Sequence, residues 1–66
     1  SHYPGVELDK PVAIGDRVWV GNGALILPGA TVGENSVIAA RSVVTGEIPP
    51  NCLAAGTPAK IVRYLG

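Results

Sequence analysis

A chain of 66 residues with five basic and five acidic side chains carries no net charge, and a domain this short buries only about 60 % of its unfolded surface and draws roughly 3–5 kcal/mol from its core. Its single cysteine, Cys52, excludes a disulfide framework and its single histidine, His2, a Cys/His zinc staple, which leaves stacking against further copies as the source of stability. Leu, Ile and Val supply 19 residues, against a disordered tail, nine glycines and six prolines argue against a helical bundle, and the balanced charge leaves no footprint for nucleic acid or an anionic membrane.

In chain order, residues 1–12 carry Pro4, Gly5 and Pro11 without a regular pattern, so residues 1–13 read as an ordered loop leading into the first regular segment. From Ile14 a period of six takes over. Ile14, Val20, Ile26, Val32, Ile38 and Val44 fall at strict six-residue intervals, and Val18, Ala24, Ala30, Ser36, Ser42 and Ile48, mostly small, follow four residues after each. Glycine succeeds the aliphatic residue at Gly15, Gly21 and Gly33.

This spacing predicts an all-β solenoid of short strands. One aliphatic side chain per hexapeptide enters a narrow core, a small residue fits beside it, and the glycines or Pro28-Gly29 supply turns of positive φ. Three hexapeptides make one triangular coil, so residues 14–31 and 32–49 form two coils paired as parallel strands about 4.7–4.9 Å apart. A β-sandwich would show alternation of period two instead. Pro49-Pro50 ends the second coil, and residues 51–56 read as a closing strand and turn. Thr57 then caps a short α-helix with Pro58 at its first position, Ile61, Val62 and Leu65 on one face and Gly66 past the end. That helix is expected to seal one end of the solenoid, while the strand edge above Ile14 stays open unless residues 1–12 or a neighbouring assembly cover it. The longest aliphatic run, residues 24–27, is far too short to span a bilayer and no signal peptide opens the sequence, so a soluble, cytoplasmic protein is expected.

The blocks VWVG at 18–21, LPGATVG at 27–33 and AAGTPAKIVR at 54–63 resemble the C-terminal portion of the hexapeptide-repeat acetyltransferases, in particular the maltose, galactoside, nodulation and xenobiotic branch. The resemblance covers residues 14–63, about three quarters of the chain. It implies a left-handed parallel β-helix, against the usual handedness of crossovers, and a homotrimer that binds acetyl-CoA in the groove between neighbouring subunits. The implied activity is acetyl transfer to a hydroxyl of a sugar or similar small molecule, without a metal. A non-catalytic trimerising and capping module is the alternative.

The resemblance also implies site residues. Ser1-His2 stands where relatives carry their catalytic histidine; neutral imidazole would take the proton from the acceptor hydroxyl as it attacks the thioester, with no covalent intermediate. The other reading of His2 is a solvated terminal residue or the remnant of an affinity-tag junction. Trp19 corresponds to a tryptophan beside the groove, or packs between subunits. Asn22, Ala40 and Thr45 stand where the pantetheine arm is lined by small or hydrogen-bonding groups, which solenoid geometry also favours. Lys60 and Arg63 correspond to basic groups near the coenzyme phosphates, or are solvated surface charges. Gly46, also in the expected coenzyme site, replaces a lysine common in relatives, and Ala39 and Arg41 replace glycines of the usual pattern. Cys52 has no base partner in the sequence and reads as a small buried residue. A single histidine is too few for the metal site of the γ-type carbonic anhydrases, and Thr31, Thr45 and Thr57 do not recur at one repeat position as ice-binding faces require.

Overall fold

A computed structural model describes residues 10–66 of the chain. Among the described residues nine strands follow one another: β1 (Ala13–Ile14), β2 (Trp19–Val20), β3 (Leu25–Ile26), β4 (Thr31–Val32), β5 (Val37–Ile38), β6 (Val43–Val44), β7 (Glu47–Ile48), β8 (Cys52–Gly56) and β9 (Ala59–Tyr64). They form three sheets, β1-β4-β7, β2-β5-β8-β9 and β3-β6, and every pairing except β8 with β9 is parallel. The chain therefore visits the first, second and third sheets in turn and stacks each visit on the last, which is the coil predicted from the period of six.

The register shows how the sequence does this. Ile14 pairs with Val32 and then Ile48, Val20 with Ile38 and then Ala54, and Ile26 with Val44. Val32, Ile38, Val44, Ile48 and Ala54 are buried with Ala30 and Cys52, so the repeated aliphatic position is the core. The β-branched side chains that fill most of it suit extended backbone. In the first coil the same position is open, with Ile14 49 % and Val20 42 % exposed, because among the described residues nothing stacks above it.

The turns run on a second period of six. Positive φ falls at Arg17, Gly23, Gly29, Asn35 and Arg41, and again at Asn51. Gly15, Gly21 and Gly33, expected to supply those turns, do not; they serve close approach instead. A Cβ on Gly15 would lie 2.7 Å from the Glu34 nitrogen, on Gly21 2.5 Å from the Ala40 nitrogen, and on Gly33 2.4 Å from the Pro50 nitrogen. At each of these corners the next coil passes directly beneath. The turn residues complete the stacking: the N–H of Asn35 donates to the Asp16 carbonyl at 2.9 Å, that of Arg41 to Asn22 at 3.0 Å and that of Asn51 to Glu34 at 2.9 Å. Gly33→Ala is accordingly expected to destabilise by about 1–3 kcal/mol or more through overpacking. Gly46→Ala, with nothing within 4 Å of the new methyl, should be neutral or slightly stabilising. Thermal melts of the two variants check this, and coincident curves would sink the close-approach reading.

Two expectations are corrected. The second coil is two residues short: β1 to β4 advances by 18 residues but β4 to β7 by 16, as the registers Ala13↔Thr31 and Thr31↔Glu47 show. Ile48, assigned to the small position by spacing, takes the core position instead and is 4 % exposed. The C-terminal α-helix is also absent. Thr57 and Pro58 form the turn of a hairpin, and residues 59–64 return as β9 antiparallel to β8, with a register shift at Leu53/Ala54. The reason is the edge of β8. One side of β8 pairs with β5, and a helix starting at Thr57 would leave the other side's backbone groups without partners, whereas a strand containing Ile61 and Val62 fills them at little conformational cost.

Buried polar groups tie the last coil to this hairpin. Ser36 Oγ, fully buried, donates to the Pro49 carbonyl at 2.7 Å and accepts the Cys52 N–H at 3.3 Å. Cys52 Sγ donates to the same carbonyl at 3.2 Å, and Ser42 Oγ accepts the Gly56 N–H at 3.2 Å. Cys52 is thus the small buried residue expected from the sequence, and the serines at the small positions are fastenings as well as fillers.

Candidate functional site

The second sheet carries Trp19, Lys60 and Arg63, and its corner with the third sheet carries Asn22 and Ala40. Because Ile38 and Ala54 point into the core, their neighbours Val37, Leu53 and Ala55 point outward. Register then places Trp19, Val37, Leu53 and Arg63 in one row across β2, β5, β8 and β9, and Lys60 opposite Ala55 beside that row. Trp19 is 71 % exposed at one end of the row, and Arg63 is exposed at the other. Three strand spacings separate their backbones, roughly 14 Å. Between them lies the apolar strip of Val37 and Leu53, both half-buried.

Asn22 and Ala40 flank this sheet at its corner with the third sheet. They stack in successive coils, which is why a Cβ on Gly21 would strike the Ala40 backbone. Asn22 gives its carbonyl to the Arg41 N–H, so its backbone is structural and its exposed side chain is free for other work. Thr45 and Gly46 do not join the group. They form the shortened corner between β6 and β7, joining the third sheet to the first, where the Gly46 carbonyl accepts the Thr31 N–H at 3.0 Å. His2 lies outside the described residues.

The electrostatics of the face are one-sided. Among the described residues the acidic side chains are Asp16 and Glu34, at the corner between the first and second sheets, and Glu47 on the first sheet. The outward face of the second sheet therefore carries Lys60 and Arg63 and no acid. An apolar strip ending in two cations suits a ligand with an extended, weakly polar arm and an anionic end. A concavity of about 300 Å³ lies elsewhere, on the first sheet, lined by Ala13, Thr31, Glu47 and Pro50 among others. It holds none of the candidate site residues, and its polar side chains are one carboxylate and one hydroxyl. No cluster of three or more His, Cys, Asp or Glu that could hold a metal ion occurs among the described residues.

Sequence reasoning missed Val37 and Leu53 as members of the face. Val37 is legible as the residue before a core aliphatic, the place Trp19 holds one coil earlier. Leu53 is hidden by the two-residue contraction before it, which puts β8 out of phase with the period of six.

Comparison with known proteins bears on the family and the fold. Residues 11–46, more than half of the chain, match the bacterial transferase hexapeptide (six repeats) family. The galactoside O-acetyltransferase of Escherichia coli K12 is 53 % identical over 55 residues, which are 83 % of this chain and 27 % of that protein. The structure of a maltose O-acetyltransferase from Clostridium difficile 630 superposes with a TM-score of 0.84 at 51 % identity, covering 86 % of this chain and 30 % of that one. A hexapeptide-repeat acetyltransferase from Vibrio cholerae, complexed with acetyl-CoA, gives a TM-score of 0.84 at 49 % identity over 86 % of this chain and 31 % of that one. The chain spans about 30 % of the length of the curated relatives it matches. On the period, the stacked three-sheet fold and these matches together, the chain belongs to the bacterial hexapeptide-repeat transferase family.

Proposed function

We propose that this chain is the C-terminal, coenzyme-binding portion of an acetyl-CoA-dependent O-acetyltransferase whose acceptor is a hydroxyl of a sugar or a similar small molecule. The observation that carries the reading is the gathering of Trp19, Lys60 and Arg63 on one acid-free face with Asn22 and Ala40 at its edge. The names of the relatives support the choice of chemistry: they include galactoside and maltose O-acetyltransferases and a protein complexed with acetyl-CoA.

In this reading the coils wind left-handed and three copies assemble around a threefold axis in the cytoplasm. Lys60 and Arg63 meet the coenzyme phosphates, and the pantetheine arm lies along Val37 and Leu53 beside Trp19. Thr45 and Gly46, on a different corner of the prism, reach the same groove only from a neighbouring copy, so the homotrimer completes the site. Acetyl-CoA supplies the activated acetyl thioester. His2 holds the acceptor hydroxyl, takes its proton as the oxygen attacks, and returns that proton to the departing thiolate. A backbone N–H close to the thioester oxygen lowers the barrier further by stabilising developing negative charge.

Calorimetric titration with acetyl-CoA tests the reading. A saturating isotherm is expected, weakened by salt and by Lys60→Ala with Arg63→Ala, because exposed charge contacts are screened. A flat titration would instead favour a purely structural role in trimerisation and capping.

A further inference from the structure

Asn22-Gly23 is the only asparagine-glycine pair in the chain; Asn35 precedes a serine and Asn51 a cysteine. The pair holds the two central positions of a β-turn at the corner between the second and third sheets. The Ala24 N–H donates to the Gly21 carbonyl at 3.2 Å and Gly23 has φ 76°, the type II arrangement that asks for glycine in third place. Both residues are exposed. The Gly23 N–H makes no backbone hydrogen bond among the described residues, and one further bond, from the Arg41 N–H to the Asn22 carbonyl at 3.0 Å, completes the hold on the turn.

The other two asparagines are shut in. Asn35 Oδ1 accepts Arg17 Nε at 2.7 Å, and the residue after it, Ser36, is fully buried. After Asn51 comes Cys52, also fully buried, whose N–H donates to Ser36 Oγ at 3.3 Å. Opening either of those corners disturbs the core. Opening the Asn22 corner breaks two backbone hydrogen bonds in the first coil, above which nothing stacks among the described residues, and leaves the buried side chains in place. Local opening of that kind lies at the low end of a protein's range of opening free energies.

We infer that Asn22 is a site of spontaneous modification in the folded chain, converting to aspartate and isoaspartate. With the turn open, the Gly23 backbone nitrogen gives its proton to hydroxide and attacks Asn22 Cγ, and glycine has no side chain to hinder the approach. A bond forms between that nitrogen and Cγ as the bond from Cγ to Nδ2 breaks, and Nδ2 leaves as ammonia after taking a proton from water. Water then opens the cyclic imide. Addition at Cγ restores the main chain with aspartate, and addition at the former backbone carbonyl routes the main chain through Cγ as isoaspartate. Either product sets a carboxylate at the edge of the face that carries Lys60 and Arg63 and no acid. Isoaspartate also removes the carbonyl that accepts the Arg41 N–H. On the acetyltransferase reading, on which this consequence rests, the conversion weakens coenzyme binding.

The folded chain is incubated at mildly alkaline pH and its tryptic peptides are sequenced by mass spectrometry, residues 18–41 carrying Asn22 and Asn35 and residues 42–60 carrying Asn51. Enzymatic methylation marks isoaspartate. Asn22 is expected to convert first, roughly 5- to 150-fold more slowly than in the free peptide, the weight of the hydrogen bonds that must open. Conversion of Asn35 or Asn51 ahead of Asn22, or a rate at Asn22 that climbs in dilute urea as the unfolded fraction does, overturns the inference. Titration of Asn22→Asp and Asn22→Ser with coenzyme A reads the consequence. The aspartate variant should bind roughly two- to fivefold more weakly than the serine variant, a gap that added salt closes; equal affinities overturn the effect on binding. A parent that converts at Asn22 yet binds no coenzyme A overturns the acetyltransferase reading and leaves the modification site standing.

Discussion

Ile38→Ala is expected to cost about 2–5 kcal/mol, the range for truncating a fully buried aliphatic side chain where the surroundings collapse only in part. Ile38 is 0 % exposed and lies in register between Val20 and Ala54. The backbone around it is held by inter-coil hydrogen bonds, such as the Gly21 N–H to the Ile38 carbonyl at 2.7 Å, so the coils cannot close over the void. A chain of this size draws roughly 3–5 kcal/mol from its core, so the variant should be largely unfolded at ambient temperature. Ile14→Ala, at a site 49 % exposed, should cost much less. Urea denaturation followed by far-ultraviolet circular dichroism compares them; equal midpoints would mean that the coil interior is not the source of stability.

His2→Ala is expected to lower the rate of acetyl transfer by about 10²–10⁴-fold, the usual worth of a positioned general base, while leaving the affinity for acetyl-CoA near that of the parent. The parent's own rate should fall on acidification, because only neutral imidazole accepts the hydroxyl proton. Steady-state kinetics with a sugar acceptor, alongside calorimetry on the same protein, separates the two effects. Transfer at the parental rate would remove His2 from the mechanism.

The central coils were legible in the sequence because a solenoid repeats one small problem. Every sixth residue must be apolar and branched, and Ile14 through Val44 state this without exception. The departures arise where one coil answers to another. The role of Gly15, Gly21 and Gly33 depends on backbone one coil below, a relation across some twenty residues that local turn rules do not contain. The early arrival of Ile48 follows from the contraction at Thr45 and Gly46, where four residues replace six and either phase fits the composition. The closing segment was misread for a similar reason. Ile61, Val62 and Leu65 satisfy a helical face over one short stretch, but the unpaired side of β8 is a stronger demand and appears only once β8 is in place.

The candidate site divides along the same line. Trp19 and the basic pair Lys60 and Arg63 lie far apart in sequence, and only the pairing of β2, β5, β8 and β9 brings them to one surface. Asn22 and Ala40 share a corner because they are one full coil apart, which the period alone predicts. Thr45 and Gly46 sit at another corner because the chain turns there from the third sheet to the first, so resemblance to a motif grouped residues that a single copy keeps separate.

The reversal of direction at β9 also governs how copies can meet. A stack of parallel coils is a template for its own continuation, and a coil ending flush would present a parallel edge on which another molecule's first coil could settle, head to tail, without limit. Here the last strand of the second sheet runs the opposite way and carries Lys60 and Arg63, and the two-residue contraction shrinks the final perimeter by about 7 Å at the usual rise of a strand. An incoming coil of regular girth meets a reversed strand on the second sheet and a shortened outline on the other two, which works against open-ended head-to-tail growth at this end of the molecule.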